Sequence, residues 1–114
     1  MDTINIQAEQ TPRGLIARII GKAGVDQIEE LDRELHLLTA LSPKFVVLDL
    51  SAVPYVSSMG IGSLLRFRNE IAKGGGSVVL AALQKGVAET FRISSIDRVL
   101  PMYDSVDAAM KSSQ

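Results

Sequence analysis

Phe45-Val46-Val47-Leu48-Asp49-Leu50 is a nearly continuous apolar run of strand length, and such a strand needs cover on both faces. Pro43 disfavours helical conformation in Ser42, so the run begins a new element. Ser51 to Ser57 then reads as a loop. From Ser58 the apolar residues Ile61, Leu64, Leu65, Phe67, Ile71 and Ala72 keep helical spacing as far as Lys73, where Gly74-Gly75-Gly76 stops the helix. Val78 to Leu83 is a further buried strand. Two covered strands joined by one helix predict parallel pairing through a crossover.

Towards the N-terminus, from Thr3 to Ala8, Ile4, Ile6 and Ala8 alternate with Asn5 and Gln7, the period of a strand with one wet face. Thr11-Pro12-Arg13-Gly14 carries turn chemistry, and Leu15 to Ile20 returns to β-branched residues, so the two strands predict a hairpin. After Gly21-Lys22-Ala23-Gly24, the residues Val25, Ile28, Leu31, Leu35 and Leu38 form one helical stripe. The outer face of that helix is acidic, with Asp26, Glu29, Glu30, Asp32 and Glu34 against Arg33. Towards the C-terminus follow a helix from Lys85 to Ile93, a strand from Val99 to Tyr103 and a helix from Ser105 to Lys111. The order β-β-α-β-α-β-α-β-α predicts an α/β fold: a single mixed β-sheet with helices packed on it, residues 1–114 forming one domain. Its radius of gyration should be about 13 Å.

Composition narrows the function. With 12 Lys plus Arg and 13 Asp plus Glu the net charge is −1, which offers no general grip on nucleic-acid phosphates or anionic lipid. The absence of cysteine removes disulfides, thiolate nucleophiles and zinc ribbons. Aromatics are 4% of a chain that is 46% hydrophobic, so the core is aliphatic. No apolar run is long enough to span a membrane, and Met1-Asp2-Thr3 does not open an export signal; a cytoplasmic location is the expectation.

Catalytic constellations are poorly supported. The sole histidine, His36, sits in the first helix with no motif tying it to a serine or an acid. Glu29 and Glu30 are adjacent on a helix and diverge. Gly60-Ile61-Gly62 lacks the third glycine of a dinucleotide loop and the Gly-Lys-Ser/Thr of a triphosphate loop. Arg66 and Arg68 have no interleaved aromatics for stacking bases and read as exposed helix charges. No catalytic residue, metal site or resident cofactor is expected.

One segment stands apart. In Val56-Ser57-Ser58-Met59-Gly60-Ile61-Gly62, two hydroxyls fall where the loop gives way to a helix, and Gly60 and Gly62 leave room for a partner backbone. Ser57 suits the helix N-cap, its oxygen accepting from an unpaired backbone N–H. Ser58 can then face outward as a regulatory hydroxyl. On the residues alone, a purely structural cap is the favoured reading.

The stretch Phe45 to Ser51, with Val53, Tyr55 and Ser58-Met59-Gly60-Ile61-Gly62, resembles the central block of the STAS domain. That family includes bacterial anti-sigma factor antagonists and the cytoplasmic tails of sulfate transporters. The similarity continues through Gly74 to Leu80 and Ile96-Asp97-Arg98-Val99-Leu100, covering most of the chain. The resemblance implies that Ser58 occupies the position phosphorylated by a kinase that is itself the anti-sigma factor. Gly60, Ile61 and Gly62 match the family's Gly-Leu-Gly, while Met59 replaces a small residue and Ser57 an aspartate. It further implies a non-enzymatic antagonist that binds an anti-sigma factor serine kinase through Ser57, Ser58, Met59, Gly60, Ile61 and Gly62. Phosphorylation of Ser58 would release it, a serine phosphatase would reset it, and ATP would belong to the kinase. The alternative is a STAS scaffold or transporter-associated subunit that is never phosphorylated, which Ser57 in place of the aspartate favours. A hydrolase using Ser57 or Ser58 is the third reading, and neither residue has an identifiable base.

Overall fold

The computed structural model describes residues 3–113; Met1, Asp2 and Gln114, which the one-domain reading also takes in, lie outside the described residues. Strand β3, Phe45–Ala52, is the centre of a five-stranded sheet ordered β1-β2-β3-β4-β5. Strand β1 (Asn5–Thr11) runs antiparallel to β2 (Gly14–Ile20), while β2, β3, β4 (Ser77–Ala81) and β5 (Met102–Tyr103) are parallel neighbours. Helices α1 (Ile28–Thr39), α2 (Ser58–Lys73) and α3 (Lys85–Ile93) cross between the parallel strands, and α4 (Val106–Lys111) closes the chain. The mixed α/β sheet is the predicted one. The radius of gyration is 12.7 Å.

Alternation along β3 sorts its side chains onto two cores. Val46, Leu48 and Leu50 meet Leu31 and Leu35 of α1, Leu64 and Phe67 of α2, and Val87 and Phe91 of α3 in the larger one. Phe45 and Val47 join Val79, Ala81 and Ala109 in a smaller one on the opposite face, where α4 lies. Val46, Val47 and Leu48 are all fully buried, which is why the run carries no alternation of polarity.

The boundaries differ from expectation where polarity or backbone conformation intervenes. Strand β1 starts later than Thr3 and continues through Glu9, Gln10 and Thr11, which pair with Ile16, Leu15 and Gly14. An edge strand tolerates those polar residues. The Thr11 hydroxyl closes the Pro12-Arg13 turn by accepting from the amides of Arg13 and Gly14, each at 3.2 Å. The outward amide of Ile6 on the same strand donates to Glu34 Oε1 of α1 at 3.2 Å. Val25 does not join the α1 stripe: Val25–Gln27 is a turn of 3₁₀ helix that leaves Val25 exposed and buries Gln27 instead. Strand β4 ends at Ala81 rather than Leu83, because Ala82 has a positive φ of 59° and its amide turns to the Tyr103 carbonyl. The last strand shrinks from Val99–Tyr103 to two residues. Ile96–Arg98 is a 3₁₀ turn, and the Ile96 carbonyl also accepts from the amides of Val99 and Leu100. The closing helix begins one residue after Ser105, which caps it by accepting from the Ala108 amide at 3.0 Å. Gly75, with φ 86°, supplies the left-handed residue that ends α2 as expected.

Leu48→Ala should lower stability by about 3 kcal/mol, because its side chain is fully buried within the larger core. Ile93→Ala, at a side chain 82% exposed, should change it by less than about 0.5 kcal/mol. Urea unfolding of the two variants checks the contrast; a similar loss in both would show that β3 is not the buried centre.

Candidate functional site

The start of α2 is built by hydrogen bonds that continue the β2–β3 pairing past the ends of the strands. The Gly21 amide donates to the Ala52 carbonyl at 3.2 Å, the Ala23 amide to Tyr55 at 2.9 Å, and the Ser57 amide to Ala23 at 2.9 Å. Ala23 and Val56 thus form a parallel bridge, and the two loops hold each other. Gln27 braces the first loop, its Oε1 accepting from the Gly24 amide at 3.0 Å.

Ser57 is the N-cap of α2, with extended backbone and φ −76°, ψ 168°. Its Oγ accepts from the Gly60 amide at 3.1 Å, and its carbonyl accepts from Ile61 at 2.9 Å. Two of the first-turn donors are therefore satisfied, and the amides of Ser58 and Met59 lie outside the cap. Ser57 is 6% exposed, so its hydroxyl belongs to the fold. Ser58 is the first residue of the helix and faces solvent. Met59, next to it, is 51% exposed, and no acidic residue occupies the first turn. The positive end of a 16-residue helix therefore stands beside an outward hydroxyl.

The predicted site residues divide by direction. Ser58 and Met59 face out and Gly62 is half-buried, whereas Ser57, Gly60 and Ile61 are buried. Gly60 is required by the fold itself: a Cβ there would stand 2.8 Å from the Ala23 carbonyl oxygen and 2.9 Å from Val56 Cγ1. Beside Gly62 such an atom would meet only the end of Arg66, at 3.4 Å. The room between the glycines is thus filled from within at one and open at the other.

Three neighbours carried no local signal. Tyr55 is 50% exposed, and Lys22 Nζ stands 6.0 Å from its ring centre, the outer limit of a cation–π contact. Val25 is 62% exposed beside the same loop. Arg66 is the exposed helix charge expected of it, and it also donates through Nη2 to both carboxylate oxygens of Asp32 on α1, at 3.2 and 3.1 Å, and to Ser63 Oγ at 3.2 Å. Asp32 and Arg66 are far apart in sequence, so no spacing rule could have paired them. His36 lines an open groove between α1 and α2 of about 770 Å³, with Thr39, Phe67 and Asn69. Among the described residues, no helix is long and apolar enough to cross a membrane.

Fold and site together define an α/β module with three helices on one sheet face and a serine presented at the start of the middle one. Residues 5–109 match the STAS domain, and the chain belongs to that family. It is 33% identical over 95 residues to BtrV of Bordetella bronchiseptica, a protein named as a candidate anti-sigma factor antagonist; the match covers 83% of this chain and 82% of that one. The crystal structure of an anti-sigma factor antagonist from Mycobacterium paratuberculosis superposes with a TM-score of 0.86 at 22% identity, over 96% of this chain and 93% of the other. The phosphorylated form of the Bacillus cell fate determinant SpoIIAA superposes with a TM-score of 0.69 at 15% identity, over 96% and 99% of the two chains.

Gly60→Ala should cost about 1–2 kcal/mol, since neither the Ala23 carbonyl nor the buried Val56 can withdraw freely. Ser57→Ala should cost about 1 kcal/mol through the lost cap. Gly62→Ala should be neutral or stabilising by up to about 1 kcal/mol, because only a flexible arginine must shift. Chemical unfolding of the three variants measures this order, and an equal loss at positions 60 and 62 would contradict the packing.

Proposed function

We propose that the chain is a non-catalytic anti-sigma factor antagonist, binding an anti-sigma factor with serine kinase activity while Ser58 is unmodified and released when it is phosphorylated. The observation that carries this reading is the solvent-facing Ser58 hydroxyl on a helix start whose fold-bearing hydrogen bonds belong to Ser57 instead. The name of the BtrV relative supports the antagonist part of this reading.

The physics of such a switch is local. A small hydroxyl next to the exposed Met59 can be buried against a partner with little desolvation cost. The kinase would transfer the γ-phosphoryl group of ATP to Ser58 Oγ, taking up the hydroxyl proton and releasing ADP. The phosphate adds about −1.5 to −2 charges at pH 7, and the helix start accommodates them. At an interface the same dianion must be desolvated, and a hundredfold loss of affinity corresponds to about 2.8 kcal/mol. The contact surface is Ser58 and Met59 directly, with Gly62 at its margin, while Ser57, Gly60 and Ile61 shape it from beneath. A serine phosphatase would restore the binding form, and the cytoplasm would be the setting.

A second reading, a STAS scaffold or transporter-associated subunit that is not phosphorylated, draws on Ser57 in place of the family's aspartate. Incubation with candidate anti-sigma kinases and ATP, followed by mass-spectrometric mapping, separates the two. Phosphate on Ser58, retained partner binding by Ser58→Ala and at least tenfold weaker binding by Ser58→Asp are expected. Equal binding by the two variants overturns the switch; co-purification with a transporter subunit and an unmodified Ser58 favours the scaffold.

A further inference from the structure

The charged side chain that reaches back towards Ser58 from α2 is Arg66. Its Nη1 lies 3.4 Å from the place a Cβ of Gly62 would occupy, so the guanidinium is folded over the glycine towards the helix start. Gly62 is four residues beyond Ser58, and positions so spaced are neighbours on one helix surface, about 5–6 Å apart. With no side chain at 62, nothing from that position stands between the Ser58 hydroxyl and the guanidinium.

The arginine is held in place by a pair that can be exchanged. Asp32 accepts from Nη2 at 3.2 and 3.1 Å, but the side chains are 61% exposed at Arg66 and 41% at Asp32. Exposed pairs of this kind are weak, and a single carboxylate competes poorly with a phosphate dianion for a guanidinium fork. No acidic residue in the first turn of α2 opposes that charge.

We propose that Arg66 receives the phosphate of phosphorylated Ser58 by giving up Asp32, so that modification of α2 is registered on α1 as a released carboxylate. The inference rests on the reading of Ser58 as a phosphorylation site and adds the residue that holds the modified state. The dianion is then partly neutralised within its own chain. The surface changes at two places: a phosphate–arginine pair forms on α2, and Asp32 joins Glu29 and Glu30 on the acidic face of α1.

The test uses the full chain with phosphoserine installed at position 58 by codon reassignment, and follows the phosphate by ³¹P NMR as pH is varied. The charged groups to be distinguished are Arg66 and Asp32 across the two helices and Lys22 on the adjoining loop. In the parent the second phosphate ionisation should fall about half a unit below that of Arg66→Gln, the size an exposed ion pair supports. Arg66→Lys should recover part of the difference, and Asp32→Asn should lower the ionisation further by freeing the arginine. Identical titrations in the parent and Arg66→Gln, or a displacement produced by Lys22→Gln and not by Arg66→Gln, overturn the assignment. The phosphate is installed without a kinase and read without a partner. Failure of the antagonist reading would therefore show separately, as unchanged partner affinity beside a displaced titration.

Discussion

The contact on which the site depends is the one between Ala23 and the chain entering α2. The Ala23 amide and carbonyl are both engaged, by Tyr55 and Ser57 respectively, and the same carbonyl faces Gly60 so closely that no side chain fits. A residue outside any strand thus sets both the direction in which α2 leaves the sheet and the depth to which it sinks. Because the first turn is fixed from beneath, its outer residues are spared structural duty. Ser58 and Met59 are exposed for that reason, and not for want of packing elsewhere.

Much of the architecture was legible in the chain because its signals are local. The nearly continuous apolar run at Phe45–Leu50 identified a strand covered twice, and the 3.6-residue spacing from Ile61 to Ile71 identified the helix after it. Ser57 could be read as the cap because capping needs one short polar side chain at one position. Recognition of the Ser58-Met59-Gly60-Ile61-Gly62 pattern did more, tying that cap to a family. Strand ends were less legible, since they depend on partners. Glu9 and Gln10 are polar yet extend β1 because β2 continues opposite them, and Ala82 stops β4 through a backbone conformation its side chain does not announce. Gly60 and Gly62 look alike in sequence and differ only in what faces them. Tyr55, Val25 and the Asp32–Arg66 pair were illegible for the same reason: exposure and long-range pairing arise from assembly.

Electrostatics at the site are economical. A near-neutral chain places no large field around the helix start, so the charge of one modification is a large fractional change in its surroundings. The dipole of α2 favours an anion there, and on the proposed assignment the guanidinium of Arg66 would as well, while a partner surface that covers Ser58 would have to strip that anion of water. On the proposed reading, stabilising the modified monomer and weakening its docking would be two results of the same placement.

Glu34 has a role unrelated to any of this. Its carboxylate sits on the Ile6 amide, one of the backbone donors that an edge strand turns towards solvent. A strand from another molecule adding there would first have to displace a negatively charged oxygen and then leave it unsolvated. Such a guard discourages molecules from joining sheet to sheet, so crowding at high cellular concentration meets a barrier at the flank where this architecture is otherwise most adhesive.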